Sequence, residues 1–209
     1  MEGLALFATP IFTFADAAEP ALDRELARRM IAESESSPGI TRSNGGGWHS
    51  VPDLSQRPEP CFQDLMRRVV ARVQAVFFEL ARAQEAAVDL RYRFGVQAWA
   101  MVMRDGDHTI VHDHAESHFS VVYYPDAGDA DLARHPDSGK LCFLDPRRGG
   151  TVISGIDLFP SQFAIVPQNG QLVVFPGWLQ HFVQPYRGTQ PRVSISCNVR
   201  LEADLRASI

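Results

Sequence analysis

Three histidines have the residue type and spacing to hold one metal ion: His112, His114 and His181. The first two follow the strand-like run 109–111, and residues i and i+2 of a strand point to the same face, so their imidazoles converge. The third comes from a distant segment, behind the apolar run 171–175 and a Pro-Gly turn. Neutral imidazoles suit iron, zinc, copper and nickel, and a face of three ligands leaves positions open for substrate or dioxygen. The pattern predicts a mononuclear metal site.

The last predicted strand supplies a second group of polar residues. Residues 192–199 alternate strictly, so four polar side chains share one face: Arg192, Ser194, Ser196 and Asn198. Such a face contacts either water or a hydrated cavity. If the face lines a cavity, the hairpin returning from His181 would bring the Arg192 guanidinium toward the metal. There the guanidinium could form bidentate hydrogen bonds with a carboxylate, and Ser194 could add a further hydrogen bond. An acidic cosubstrate fits that arrangement, and a solvent-exposed arginine is the alternative.

Composition indicates an ordinary globular protein. The chain has 209 residues, of which 45% are hydrophobic, a length and apolar content that suit a single domain with a sizeable core. A net charge of −5 and a pI near 5.8 give no reason to expect nucleic acid or an anionic membrane as a partner. Three unevenly spaced cysteines suggest no disulfide framework. With no secretory signal or membrane-spanning segment in the sequence, we expect a cytoplasmic protein.

The first part of the chain predicts elements that support the site. Residues 4–14 indicate a short edge strand interrupted by a proline, and apolar residues spaced by three and four predict helices over 20–35 and 60–85. Between the helices, residues 34–60 are rich in Ser, Gly, Pro and Asn and predict a loop. The pair Trp48-His49 in this loop suggests a surface loop with one docked tryptophan, and a substrate lid is the alternative.

The rest of the chain consists of short β-branched and aromatic runs separated by turn signals. They predict about eight strands, near 91–104, 109–114, 117–125, 140–144, 163–167, 171–175, 181–185 and 192–199. That number and spacing favour a jelly roll, a double-stranded β-helix like the cupin barrel. The predicted fold class is therefore mainly β with packed N-terminal helices. We expect one domain over 1–209, with a helical and loop part over 1–90 and the barrel over 91–209.

These blocks, in this order, resemble a known family, the bacterial and phage 2-oxoglutarate-Fe(II) oxygenases, a branch of the double-stranded β-helix dioxygenases. The resemblance rests on five segments: 44–54 with Trp48-His49-Ser50, 112–124 beginning with His112-Asp113-His114, 139–147 ending in Asp145-Pro146-Arg147, 175–181, and 191–198. The turn pair Asp145 and Arg147 is interpreted as structural. The other four histidines are expected to be surface or hydrogen-bonded core residues rather than ligands: His49, His108, His118 and His135.

The resemblance implies a jelly roll that binds Fe(II) through His112, His181 and the residue at position 114. It also implies 2-oxoglutarate as cosubstrate, with its distal carboxylate held by Arg192 and Ser194. Tyr124, or Tyr123 if that side chain faces inward instead, would add a hydrogen bond to the cosubstrate. The implied reaction couples oxidative decarboxylation of 2-oxoglutarate to hydroxylation of a small-molecule or peptide substrate that the sequence does not identify, and the oligomeric state is equally open.

One position departs from the wider superfamily. That superfamily carries a carboxylate two residues after the first histidine, whereas this chain has His114 there, so its metal face would carry one negative charge less and hold Fe(II) less tightly. The stretch from Gly106 to Glu116 also resembles the first cupin motif, in which Glu116 would be a further ligand. Two alternatives therefore remain at this point: a cupin-like metal enzyme without 2-oxoglutarate, and a non-catalytic barrel that binds a metal or small ligand.

Overall fold

The computed structural model describes residues 7–15, 19–84, 91–147 and 160–204. Its two α-helices are α1 (Pro20–Ser36) and α2 (Pro60–Ala83), with a short 3-10 helix at Leu54–Gln56. Over the described residues the strands are β1 (Phe12–Phe14), β2 (Asn44–Gly45), β3 (Trp48–His49), β4 (Arg91–Met103), β5 (His108–His112), β6 (Phe119–Asp126), β7 (Leu141–Leu144), β8 (Gln162–Ile165), β9 (Leu172–Pro176), β10 (His181–Val183) and β11 (Arg192–Asp204). Neither helix is long and apolar enough to cross a membrane, in the part of the chain that the structure describes.

The strands form two antiparallel sheets. The larger sheet has the order β1-β9-β6-β11-β4-β3, and the smaller has the order β2-β5-β10-β7-β8. Residues from both sheets line one internal cavity, which therefore lies between them. The prediction of a jelly roll with packed helices is confirmed, and all eight predicted strands are present.

Strand alternation decides what each face of the larger sheet contacts. Strand β11 pairs with β4 along its whole length, from Arg192 opposite Met103 to Asp204 opposite Arg91. The odd-numbered residues Val193 and Ile195 join the core beneath the helices, where α2 contributes an apolar stripe spaced by three and four residues. The even-numbered residues therefore face the other way, into the space between the sheets.

The segment 34–60 differs from the expected loop. The pair Trp48-His49 forms β3 and pairs with β4, while β2 pairs with β5. Both side chains of β3 are buried, and the Trp48 indole donates to the Ser37 carbonyl at 2.9 Å. The segment has no apolar periodicity because strands of two residues are too short to show one. Its two short strands join it to both sheets, the residues around them are loop, and the buried Trp48 is the docked tryptophan that the sequence predicted.

The amino-terminal strand is confirmed over the residues that the structure describes. Strand β1 lies at the edge of the larger sheet beside β9, as expected for a segment preceded by a proline that cannot donate to a ladder. The first part of the predicted strand, residues 4–6, lies outside the described residues. The end of the second predicted helix, residue 85, does so too.

Candidate metal centre

The three predicted ligands meet at one point. His112 ends β5, His181 begins β10, and the two residues are paired directly across the smaller sheet. His114 lies two residues beyond β5, on the same side. The ring centroids are 4.3 to 5.3 Å apart, and one ligand atom of each residue lies within 4.8 Å of those of the other two. A single ion between these rings could contact all three.

A close backbone contact keeps the two histidine segments together. The His114 amide donates to the Gly177 carbonyl at 2.7 Å, and the Gly177 amide donates to the His118 carbonyl at 3.2 Å. A Cβ at position 177 would lie only 2.2 Å from the Ser117 carbonyl oxygen. Glycine is therefore required here by the close approach of another backbone segment.

Backbone carbonyls orient two of the three rings. His112 Nδ1 lies 2.8 Å from the Ile110 carbonyl, and His181 Nδ1 lies 2.9 Å from the Leu179 carbonyl. With the proton on Nδ1 donated in this way, the lone pair is on Nε2, the other ring nitrogen. Ser43 Oγ lies 3.4 Å from His112 Nε2 and is another polar group at this centre.

Burial keeps the three imidazoles neutral at physiological pH. The pKa of His181 is lowered to about 3 and that of His114 to about 4, mainly by burial, with a smaller contribution from the neighbouring His112. The pKa of His112 is also lowered by burial, although its hydrogen bond to Ile110 opposes this. A neutral imidazole has a free lone pair, so all three residues are in the protonation state that binds metals.

A buried cation without a carboxylate partner lies in the same cavity. Arg192 is only 1% exposed, and its guanidinium lies over the Tyr124 ring, 5.1 Å from the ring centroid. Its hydrogen bonds are long: one to Met103 Sδ at 3.3 Å and one to the Gly139 carbonyl at 3.4 Å. Its Nε has no hydrogen-bond partner among the described residues. Burial lowers the pKa of this guanidinium, and the neighbouring Tyr124 and Tyr186 oppose that shift.

Tyr124 and Ser194 complete this end of the cavity. Both are buried and line it, and the Tyr124 hydroxyl, like Arg192 Nε, has no hydrogen-bond partner among the described residues. Burial raises the pKa of Tyr124, so its hydroxyl is a proton donor at neutral pH. The adjacent Tyr123 points to the opposite face of β6 and donates to the Asp23 carboxylate of α1. Unpaired donors of this kind would suit a carboxylate ligand.

The route by which Arg192 reaches this cavity differs from the expected hairpin. Strand β11 pairs with β4 and β6 in the larger sheet, while β10 belongs to the smaller one. Arg192 therefore approaches from the sheet that faces the histidines. Its side chain enters the cavity because polar residues of β11 alternate toward the space between the sheets.

Glu116, Asp145, Arg147 and His118 do not join the three histidines. Glu116 is bound to Arg200, with 2.8 Å between Oε2 and the guanidinium, and its side chain is 89% exposed. Asp145 and Arg147 form an exposed ion pair around the intervening proline, as a structural turn pair would. His118 accepts a hydrogen bond from the Leu201 amide. In the described part of the chain, only the three predicted histidines form a cluster suited to a metal.

One residue of the cavity was missed by the sequence reasoning. Trp99 lines the cavity and packs against His114, with 5.5 Å between ring centroids. His49 is the hydrogen-bonded core residue that the sequence predicted: it is buried, its Nδ1 lies 2.6 Å from the Ser50 carbonyl, and its ring lies 5.7 Å from the Trp99 ring and nearly parallel to it. The signal for Trp99 is its alternation with Met101 and Met103 on β4, which places all three on the cavity face.

The comparisons with known proteins agree with this geometry. Residues 97–198 match the family model described as "Putative 2OG-Fe(II) oxygenase", and no curated protein matches the sequence. A prolyl-4-hydroxylase from Pseudomonas putida has a similar structure, with a TM-score of 0.58, 18% identity, and coverage of 93% of this chain and 94% of that one.

Two further solved structures are similar over most of their length. HygX from Streptomyces hygroscopicus, with nickel, 2-oxoglutarate and hygromycin B bound, gives a TM-score of 0.62 at 12% identity, covering 92% of this chain and 83% of that one. A prolyl hydroxylase from Trichoplax adhaerens, in complex with a peptide fragment, gives 0.59 at 12% identity, with coverages of 91% and 83%. At these identities the likeness establishes the fold.

Proposed function

We propose that this chain, an enzyme with a 2-oxoglutarate-Fe(II) oxygenase domain over residues 97–198, holds Fe(II) with His112, His114 and His181. We further propose that it binds 2-oxoglutarate with Arg192, Ser194 and Tyr124. The predicted family and cofactors are confirmed by the family match. The residue roles are our assignment.

The observation that carries the assignment is the buried Arg192 in the cavity that the histidines also line. A buried guanidinium without a carboxylate is costly, because the desolvation of its charge is not repaid by a partner. The second carboxylate of 2-oxoglutarate would supply that partner. The unpaired Arg192 Nε and Tyr124 hydroxyl would donate to it, with Ser194 on the same strand face. The donors present therefore match the chemistry of the cosubstrate's carboxylate.

The histidines fit Fe(II) by their chemistry. Three neutral imidazoles form a face that leaves coordination positions for the cosubstrate and dioxygen. When bound, the iron and 2-oxoglutarate supply the oxidising chemistry, in which cosubstrate decarboxylation to succinate accompanies oxygen insertion into the substrate. The hydrogen bonds from His112 and His181 to backbone carbonyls fix the direction of both rings.

The chain's remaining contribution is to orient the cosubstrate and exclude water. Arg192 approaches from the larger sheet and the histidines from the smaller one, so a bound dicarboxylate would be held at two ends by different sheets. Apolar side chains such as Leu141, Phe175 and Val183 line the cavity between them. A dry, apolar lining strengthens the charge interactions of Arg192 because the local dielectric constant is low.

We also propose a small-molecule or peptide substrate and a cytoplasmic location. The first follows from the similar structures, which hold hygromycin B in one case and a peptide fragment in another. The second is supported by three buried cysteines that are all free, as is usual in a reducing compartment. Burial raises the pKa of Cys197 to about 12, so this thiol is a core residue rather than a nucleophile.

Anaerobic addition of 2-oxoglutarate to the Fe(II)-loaded protein tests the proposal. We expect a weak visible charge-transfer band, and slow succinate formation once air is admitted. Alanine at His112 or His181 should abolish Fe(II) binding, whereas alanine at His118, which bonds to a backbone amide outside the centre, should leave it intact. A wild-type protein that binds Fe(II) and gives neither the band nor succinate would exclude the proposed function.

A further inference from the structure

A second, larger cavity adjoins the metal centre. It has a volume of about 670 Å³ and lies between the ends of β4 and β11 and the loop that follows β5. His114 lines both this cavity and the inner one that contains Arg192. We call it the outer groove and define it by Gly95, Gln97, Asp113, Glu116, Asn198 and Arg200. Its volume is in the range of pockets that enclose small ligands, which is about 300–1,000 Å³.

We propose that the outer groove is the substrate site and that it binds a cationic nitrogen, an ammonium or guanidinium group. This rests on the proposed function, since it supposes that the reacting metal lies at His114. A substrate in the groove would lie against that histidine. The inner cavity, which holds the unpaired Arg192, would remain for the cosubstrate, so the two ligands would have separate sites on one polar strip of β11.

The charges of the groove favour a cation. Its lining contains three carboxylates, Asp113, Glu116 and Glu202, and one guanidinium, that of Arg200. Arg200 is committed to Glu116, and Glu202 lies 3.4 Å from Arg93. Among the described residues Asp113 forms no ion pair, and its one hydrogen bond is from the Ala115 amide at 3.3 Å. Asp113 is therefore the carboxylate that a substrate cation would pair with.

A buried acceptor points to the same chemistry. Asn198 is opposite Gln97 in the β4–β11 ladder, and both side chains line the groove. The side-chain oxygen of Asn198 has no solvent exposure to speak of and no hydrogen-bond partner among the described residues. The buried acceptor of Asn198 needs a donor, the exposed Asp113 carboxylate offers a further acceptor beside it, and ammonium and guanidinium groups are donors only.

Gly95 makes the groove wide enough for a ligand. It lies opposite Arg200, and a Cβ built there meets only the Arg200 carbonyl oxygen, at 4.0 Å. Because the residue has the same strand parity as Gln97, a side chain at position 95 would project into the groove. Alanine should therefore be tolerated, and tryptophan should fill the space without disturbing the fold.

The first experiment measures binding by the change that a ligand causes in the charge-transfer band of the anaerobic Fe(II)-2-oxoglutarate complex. The probes are n-butylguanidinium and its neutral isostere n-butylurea. A blocked Ala-Arg-Ala peptide and its citrulline counterpart distinguish a side chain in a peptide from a free small molecule. We expect at least one guanidinium probe to bind about fivefold more tightly than its urea partner at low salt, as a partly exposed ion pair allows.

Variants separate charge from shape. Asp113→Asn should remove the preference for the cation, while Glu79→Gln, an equal change of charge on exposed α2, should keep it. Gly95→Trp should abolish the response to every probe and leave the band itself in place, and Gly95→Ala should behave like the wild type.

The outcomes are distinguishable. Equal binding of guanidinium and urea probes, no response to any probe, or full binding by Gly95→Trp would overturn the groove assignment, provided that the band forms. If the wild type gives no band, the proposed function fails, and the substrate site fails with it.

Discussion

Replacement of Arg192 by methionine should change stability and cosubstrate affinity in opposite directions. In the protein without 2-oxoglutarate, the guanidinium is 1% exposed and has only two long hydrogen bonds and a stacking contact with Tyr124 to offset its desolvation. Methionine has a similar length, carries no charge and would pack beside Met103. Replacing buried charges with well-packed apolar residues of similar volume is often neutral or stabilises proteins by about 1–4 kcal/mol.

The same substitution removes the proposed partner of the cosubstrate carboxylate. Breaking a buried charge pair on one side costs about 3–5 kcal/mol, because the other charge is left without compensation. At about 1.4 kcal/mol per factor of ten, Kd for 2-oxoglutarate should rise by about two to three and a half orders of magnitude. The apo protein should at the same time melt at a temperature several degrees higher, at about 2–4 °C per kcal/mol for a chain of this size.

Two measurements check this expectation. Urea denaturation of the metal-free protein gives the free energy of unfolding, and anaerobic titration of the Fe(II) form gives Kd for 2-oxoglutarate. Arg82→Met, on an arginine whose side chain is 77% exposed on α2, is the matched control and should alter neither quantity appreciably. If Arg192→Met destabilises the apo protein and leaves Kd within a factor of three of the wild type, then Arg192 is a structural residue and our reasoning about the cavity is wrong.

Three further substitutions test the centre and its supports. His114→Asp adds a negative charge beside the ion, so competition with a chelator should show Fe(II) bound at least about tenfold more tightly; unchanged affinity would mean that this residue is not a ligand. Gly177→Ala should lower the free energy of unfolding by about 1–3 kcal/mol in urea denaturation and weaken metal binding, because its Cβ would lie 2.2 Å from a carbonyl oxygen. Gly95→Ala is the control and should cost little. Equal costs for the two variants would contradict the close contact. Burial raises the pKa of Asp23 above its ordinary 3.8, so folding favours the protonated carboxyl. The stability that this provides is present at low pH and is lost as the pH rises through and above 3.8. Asp23→Asn, which preserves an acceptor for Tyr123, should therefore gain stability relative to the wild type between acidic and neutral pH; a difference that does not vary with pH would refute this.

The sequence was sufficient where the chemistry depends on local periodicity. Two histidines separated by one residue at the end of a strand must share a face, and the same alternation places Arg192 and Ser194 together. The apolar stripe of α2 indicated the face that packs on the larger sheet. These features follow from backbone geometry over a few residues, so the strands and the convergence of His112 with His114 were predictable, whereas the position of His181 depends on the pairing of β10 with β5.

The tertiary structure decided which face is buried and which sheet each strand joins. Alternation shows that Tyr123 and Tyr124 point in opposite directions, but only the packing of α1 against Tyr123 leaves Tyr124 for the cavity. The tertiary structure also shows that Glu116 is bound to Arg200, away from the histidines. Strand periodicity is the same in either orientation of a sheet, and the choice depends on contacts between residues far apart in the chain. For that reason the burial of Arg192 between the sheets, on which the cosubstrate assignment depends, could not be read from the sequence alone.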